Sequence, residues 1–198
     1  MFNIMRDLTK EKIIRSVDDR TILDKFAEDF CGIVEQFCKY IIVSGFVAIA
    51  HGRSRGTDDI DMIIEKLSRE KFILLHEELI KAGFDCIQSS DACDLYDNYI
   101  NTGVSIRYVR LGEHLPEMEV KFAKDSLDNY QLQTRKKMPF TGIDVYFSSV
   151  EMNIAFKEEL LCSEKDLEDA RHLRLIYEEE INEAEIDKNK QMIRRIKL

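Results

Sequence analysis

Residues 40–64 read YIIVSGFVAIAHGRSRGTDDIDMII, and the reading of this stretch decides the fold. Tyr40 to Val43 is a short apolar run rich in β-branched residues, which predicts a buried strand. It stops at Ser44-Gly45, and Phe46 to Ala50 is compatible with a short helix. A strand, a turn of small residues and a helix in that order aim free backbone N–H groups and the positive helix end at one point, which suits phosphate. Asp59 to Ile64 predicts a second strand, on which Asp59 and Asp61 share one face while Ile60 and Met62 share the other. Two adjacent carboxylates repel unless a cation lies between them, and oxygen ligands suit Mg²⁺ or Mn²⁺. A phosphate cradle beside a two-carboxylate metal seat is the minimum apparatus for moving a nucleotidyl group.

Outward from this stretch, residues 18 to 38 carry apolar residues at helical spacing, among them Phe26, Phe30, Ile33 and Phe37, so this stripe is core. Residues 5 to 15 suggest a shorter helix. Ser68 caps a predicted helix that Gly83 ends, and Phe84 to Ile87 predicts a strand. His76 on that helix reads as structural or exposed. Residues 90 to 98 predict a short acidic helix or loop. Ser105 to Arg110 predicts a strand, with Arg107 a candidate nucleotide contact. In Met118 to Phe122 the apolar residues alternate with Glu119 and Lys121, which face away together. Lys124 to Gln133 is expected to be helical, Arg135-Lys136-Lys137 a solvated basic edge, and Gly142 to Phe147 the last strand. Ser148-x-x-Glu151 reads as a capping box for a helix whose buried stripe is Val150, Ile154 and Leu161. Lys157 falls inside that stripe, so its ammonium must snorkel out or meet an anion, a triphosphate being one candidate. Ser163 opens a further helix, and the final stretch places acidic residues before basic ones, as a helix dipole prefers.

The chain has 198 residues with 44% hydrophobic content, enough for one compact unit. The expected organisation is an N-terminal helical segment (1–39), a core (40–148) and a helical C-terminal annex (149–198). No apolar run approaches the ~18 residues of a membrane span, and the opening MFNIMRDLTKEK has no apolar stretch of a signal peptide. Five cysteines lie scattered without CxxC spacing, which argues against zinc and a disulfide framework and for a reducing, cytoplasmic setting. A net charge of −9 argues against broad nucleic-acid coating, leaving room for a local basic patch.

Ser44-Gly45 followed by Asp59-x-Asp61 resembles the signature of the DNA polymerase beta-like nucleotidyltransferases, a small-residue turn followed by hydrophobic-Asp-hydrophobic-Asp/Glu. GRSRGTDDID is similar to the segment of minimal nucleotidyltransferases that include AbiE-type abortive-infection toxins, although those read Gly-Gly or Gly-Ser at the turn. Glu151, Lys157, Lys165, Asp166 and Asp169 resemble the C-terminal half of the same families. The resemblance implies an α/β fold, a small mixed sheet flanked by helices. It implies a third carboxylate beside the Asp pair, acting as metal ligand or as base; Glu119 fits that place and Glu117 is the alternative. It implies Mg²⁺ or Mn²⁺ on Asp59, Asp61 and Glu119, and an NTP held by Ser44, Gly45, Arg53, Arg55 and Lys157. Asp166 would orient Lys157 or the acceptor, which would be a hydroxyl on RNA (tRNA) or protein, and an antitoxin would be a partner. Two other readings stay open: a nucleotide-binding regulator with weak chemistry, and an RNA or protein interaction module on the same scaffold.

Overall fold

The computed structural model describes residues 21–197. The first predicted helix, over 5 to 15, and the start of the second lie outside them. Helix α1 (Ile22–Val34) starts at Thr21, whose hydroxyl accepts from the Asp24 N–H while the Asp24 carboxylate accepts from the Thr21 N–H. It ends short of the expected residue 38.

The strands are β1 (Tyr40–Val43), β2 (Asp59–Ile64), β3 (Phe84–Cys86), β4 (Ile106–Arg110), β5 (Glu117–Phe122), β6 (Lys136–Lys137) and β7 (Tyr146–Phe147). They form one mixed sheet in the order β3-β4-β5-β2-β1-β7-β6. At its centre β2 runs parallel to β5 and antiparallel to β1. Between the strands lie α2 (Gly45–Ala50), α3 (Arg69–Lys81), α4 (Ala92–Asp94) and α5 (Ser126–Gln133). The annex comprises α6 (Val150–Phe156), α7 (Glu164–Ile176) and α8 (Glu183–Lys197), and a wide turn at Lys157–Leu161 carries α6 toward α7.

The two faces of the sheet have different coverings. Ile42, Ile60, Met62, Tyr108, Met118 and Val120 pack with Phe26 and Phe30 of α1 and Phe72 and Leu75 of α3 in the main core. Ile41 and Ile63 meet Leu132 of α5 on the opposite face, beside Val43. That second face also carries Asp59 and Asp61, because side chains alternate along β2. Among the described residues no helix is long and apolar enough to cross a membrane.

Four local expectations are corrected. Ser149, not Ser148, caps α6: its hydroxyl accepts from Met152 N–H at 3.2 Å, while the Ser148 hydroxyl donates to Gln131. Leu161 is 43% exposed rather than part of a buried stripe, because the wide turn rotates it outward. The last strand is only Tyr146–Phe147; Gly142 instead takes a left-handed conformation after a short 3₁₀ turn at Pro139–Thr141. The basic run is not merely a solvated edge, since Lys136 and Lys137 pair with β7 and Arg135 lies 3.9 Å over the Tyr146 ring.

Candidate active site

Strand register sets the acidic cluster. On the parallel pair β2–β5, Asp59 stands opposite Glu117 and Asp61 opposite Glu119. Neighbouring strands lie about 4.8 Å apart, so four carboxylates occupy one patch of the second face. Asp59 is exposed and Asp61 half-buried. Burial pushes the Asp61 carboxyl above the ordinary aspartate range; Asp59 and Glu119 push it the same way, and the Ser44 hydroxyl and Lys121 pull it back. Carboxylate oxygens are the donors that hard divalent cations take. Asp59 and Asp61 therefore fit an oxygen-ligated divalent ion.

Glu119 has a partner already. Arg107, opposite it on β4, donates to Glu119 Oε2 from Nη2 at 2.7 Å and from Nε at 3.1 Å, and its Nε lies 3.3 Å from Glu117. Both hydrogen bonds fall on the same oxygen. Among the described residues no three His, Cys, Asp or Glu side chains are gathered as a ready-made metal cage. Arg107, read from the sequence as a candidate nucleotide contact, is the counter-ion of Glu119.

The turn before α2 is strained. Ser44 has φ 65 and ψ −139, a conformation that L residues rarely adopt, and its hydroxyl caps nothing in α2. A Cβ built on Gly45 would sit 2.9 Å from Arg55 Nη2, so any larger residue there would push that side chain aside. The Arg55 guanidinium rests against the backbone of the Ser44-Gly45 turn.

Arg55 is held there by α7. Its Nη1 lies 2.6 Å from Oδ2 of Asp169, which is fully buried and also pairs with Arg53. Arg53 additionally pairs with Glu168 and donates to the Lys165 carbonyl at 2.9 Å. Lys157, 1% exposed, donates to Asp169 at 2.8 Å and stands 3.4 Å from Asp166. It meets an anion, as its place in the stripe required, but the nearer anion is Asp169. Burial lowers the Lys157 pKa from the ordinary lysine value, Asp166 draws it back up, and Arg55 and Arg53 lower it further. Asp166 also secures the start of α7, where its side chain accepts from the Ser163 hydroxyl at 2.5 Å and its N–H donates to that hydroxyl.

A cavity of about 400 Å³ lies between the second sheet face and the annex. Ser44, Asp61 and Lys157 all line it. Gly45, Asp59, Glu119, Arg53, Arg55 and Asp166 are not among its lining. Sequence reasoning placed Asp169 in the C-terminal motif without giving it a role; the structure makes it the hub of the cationic cluster. The sequence reading missed Asn153, four residues before Lys157 on the same face of α6, which lines the cavity with Gln131 of α5.

No family model and no curated protein sequence matches the chain. Its fold has solved counterparts. The crystal structure of ANT(2")-Ia in complex with adenylyl-2"-tobramycin is similar with a TM-score of 0.51 at 15% identity, over 90% of this chain and 100% of that one. The crystal structure of an antigenic nucleotidyltransferase-like protein from Paracoccidioides brasiliensis is similar with a TM-score of 0.51 at 16% identity, over 86% of each chain. At such identities the likeness is one of architecture: the chain has the nucleotidyltransferase fold, a mixed sheet flanked by helices with a helical C-terminal annex.

Proposed function

We propose that the protein is a divalent-metal-dependent nucleotidyltransferase that moves an NMP from an NTP to an acceptor hydroxyl on RNA, such as tRNA, or on protein. Ser44, Asp61 and Lys157, three groups distant in sequence, share the wall of one cavity, and that observation carries the reading. Asp59 and Asp61, with Glu119 or Glu117, would hold Mg²⁺ or Mn²⁺, which supplies charge neutralisation at the attacking and leaving oxygens. The acceptor oxygen forms a bond to the α-phosphorus as the bond from that phosphorus to the bridging oxygen breaks, and pyrophosphate leaves. The hydroxyl proton goes to the third carboxylate or to water. Ser44 and the Gly45 backbone meet the β and γ phosphates, and Lys157 lies within the same wall to bind them. Arg55, resting against Gly45, adds positive charge there, and Arg53 braces it through their shared carboxylate Asp169. Asp166 helps orient Lys157. The AbiE-like motifs motivate a toxin role with a neutralising antitoxin. The organisation into a helical segment (1–39), a core (40–148) and an annex (149–198) belongs to the same proposal, with the site at the junction of the last two.

A second reading has one observation in its favour. Arg107 already neutralises Glu119 and Glu117, as expected of a nucleotide-binding regulator whose transfer chemistry is weak. One assay separates the two. Each α-labelled NTP is incubated with the protein, Mg²⁺ and, in turn, total tRNA, cell lysate or an aminoglycoside. Label should appear on one acceptor with wild type and fall to background with Asp59→Ala/Asp61→Ala. Retained NTP binding without any transfer by wild type would favour the regulator.

A further inference from the structure

Of the groups proposed to hold the phosphates and the metal, only Ser44, Asp61 and Lys157 line the cavity. The rest of its wall mixes apolar residues (Ile63 from the sheet, Leu127 from α5, Phe156 and Leu160 from α6 and its turn, and Ile193 from α8) with the charged Lys121, Lys124, Asp125 and Asp128. The whole cavity, at about 400 Å³, falls in the size range of small-molecule sites. Two amides are built into its wall. Asn153 is 4% exposed, and its Nδ2 donates to the Ser148 carbonyl at 2.9 Å and the Ser149 carbonyl at 3.0 Å. Only an amide nitrogen can serve two carbonyls, so Oδ1 is fixed on the other side and has no hydrogen-bond partner among the described residues. Gln131 is 3% exposed; its Oε1 accepts from the Ser148 hydroxyl at 2.8 Å, and its Nε2 likewise has no partner among the described residues. One serine thus anchors both amides, leaving an acceptor and a donor unused in the wall of the chamber.

We infer that this chamber is the nucleoside pocket of the NTP and that Gln131 and Asn153 read the edge of the base. This rests on the transferase reading of the site and extends it to base recognition. On their pairing edges adenine and cytosine carry an exocyclic donor beside a ring acceptor, and guanine and uracil the reverse order, so a fixed acceptor and donor in the wall complement one order and not the other. The apolar residues supply the contact that a flat ring requires, and Phe156 offers an aromatic face. Buried polar atoms of this kind discriminate strongly, because a base of the wrong pattern leaves them unpaired.

The test is direct binding to the full chain in Mg²⁺ by calorimetry. The ligands are the four NTPs carrying a methylene bridge between the α and β phosphates, and tripolyphosphate, which has no nucleoside. Gln131→Glu keeps the acceptor for the Ser148 hydroxyl and turns the free donor into an acceptor. It should weaken the best-bound nucleotide about tenfold or more beyond any change for tripolyphosphate, and change the ranking of the four bases. Leu160→Trp, filling the chamber from a half-buried position, should remove nucleotide binding in excess of tripolyphosphate binding. If both variants keep the wild-type ranking and affinities, the inference is overturned while the transferase reading stands. It is overturned in the same way if wild type binds nucleotides no tighter than tripolyphosphate. Should wild type bind neither ligand, the reading of the whole site fails with it.

Discussion

Asp61 holds a charge that the metal-free fold does not favour. Its raised carboxyl pKa means that the folded state binds a proton there more tightly than the unfolded chain does. By linkage, stability from this group is greatest at low pH and falls as pH rises from the ordinary aspartate value through the raised one. Asp61→Asn should therefore raise the metal-free melting temperature at neutral pH, by about 2–4 °C for each kcal/mol relieved in a chain of this size. Calorimetric scans at pH 4 and pH 7 check this, since the gain should be smaller at the lower pH. The same residue was legible in the sequence because strand parity alone puts it beside Asp59. The partner of Glu119 was not, since Arg107 comes to it only through the antiparallel pairing of β4 with β5.

At the scale of elements, α7 carries the most consequential buried charge, Asp169 with three cations around it. Removing one member of a buried ionic cluster costs most when it strands the others. Asp169→Ala removes the carboxylate that Arg55 pairs with, leaves Arg53 only Glu168 and Lys157 only the more distant Asp166, and should cost about 3–5 kcal/mol in urea unfolding. Lys157→Met should cost much less, because two arginines still satisfy Asp169. On α8, Asn189 is fully buried, with no hydrogen-bond partner for either amide atom among the described residues. An unpaired buried amide costs about 1–3 kcal/mol, so Asn189→Leu should raise the urea midpoint. The helices themselves were readable from apolar period and caps, as at Ser68 and Ser163. The cap at Ser149 was misread by one residue, since two adjacent serines offer the same local signal and only the contact of Ser148 with Gln131 on α5 separates them.

Across the whole molecule, the proposed ion couples the site to global stability. A ligand that binds only the folded state adds about 2.7 kcal/mol at one hundred times its dissociation constant. Mn²⁺ should raise the wild-type melting temperature at neutral pH and leave Asp59→Ala/Asp61→Ala unmoved. The shift should fade on acidification above the range of an ordinary aspartate, because Asp61 protonates early. The architecture was legible from residues 40–64 because their pattern is local: strand, bend, helix, strand. The chamber was not, because its wall is drawn from strands and helices far apart in the chain, from Val43 to Ile196. The Arg55–Asp169 contact has an implication for anyone wishing to move this apparatus to another scaffold. The glycine bend and its arginine loop are stapled to a helix more than a hundred residues later. Grafted without that helix, the loop would keep its motif and lose its shape, so the smallest portable unit is nearly the entire protein.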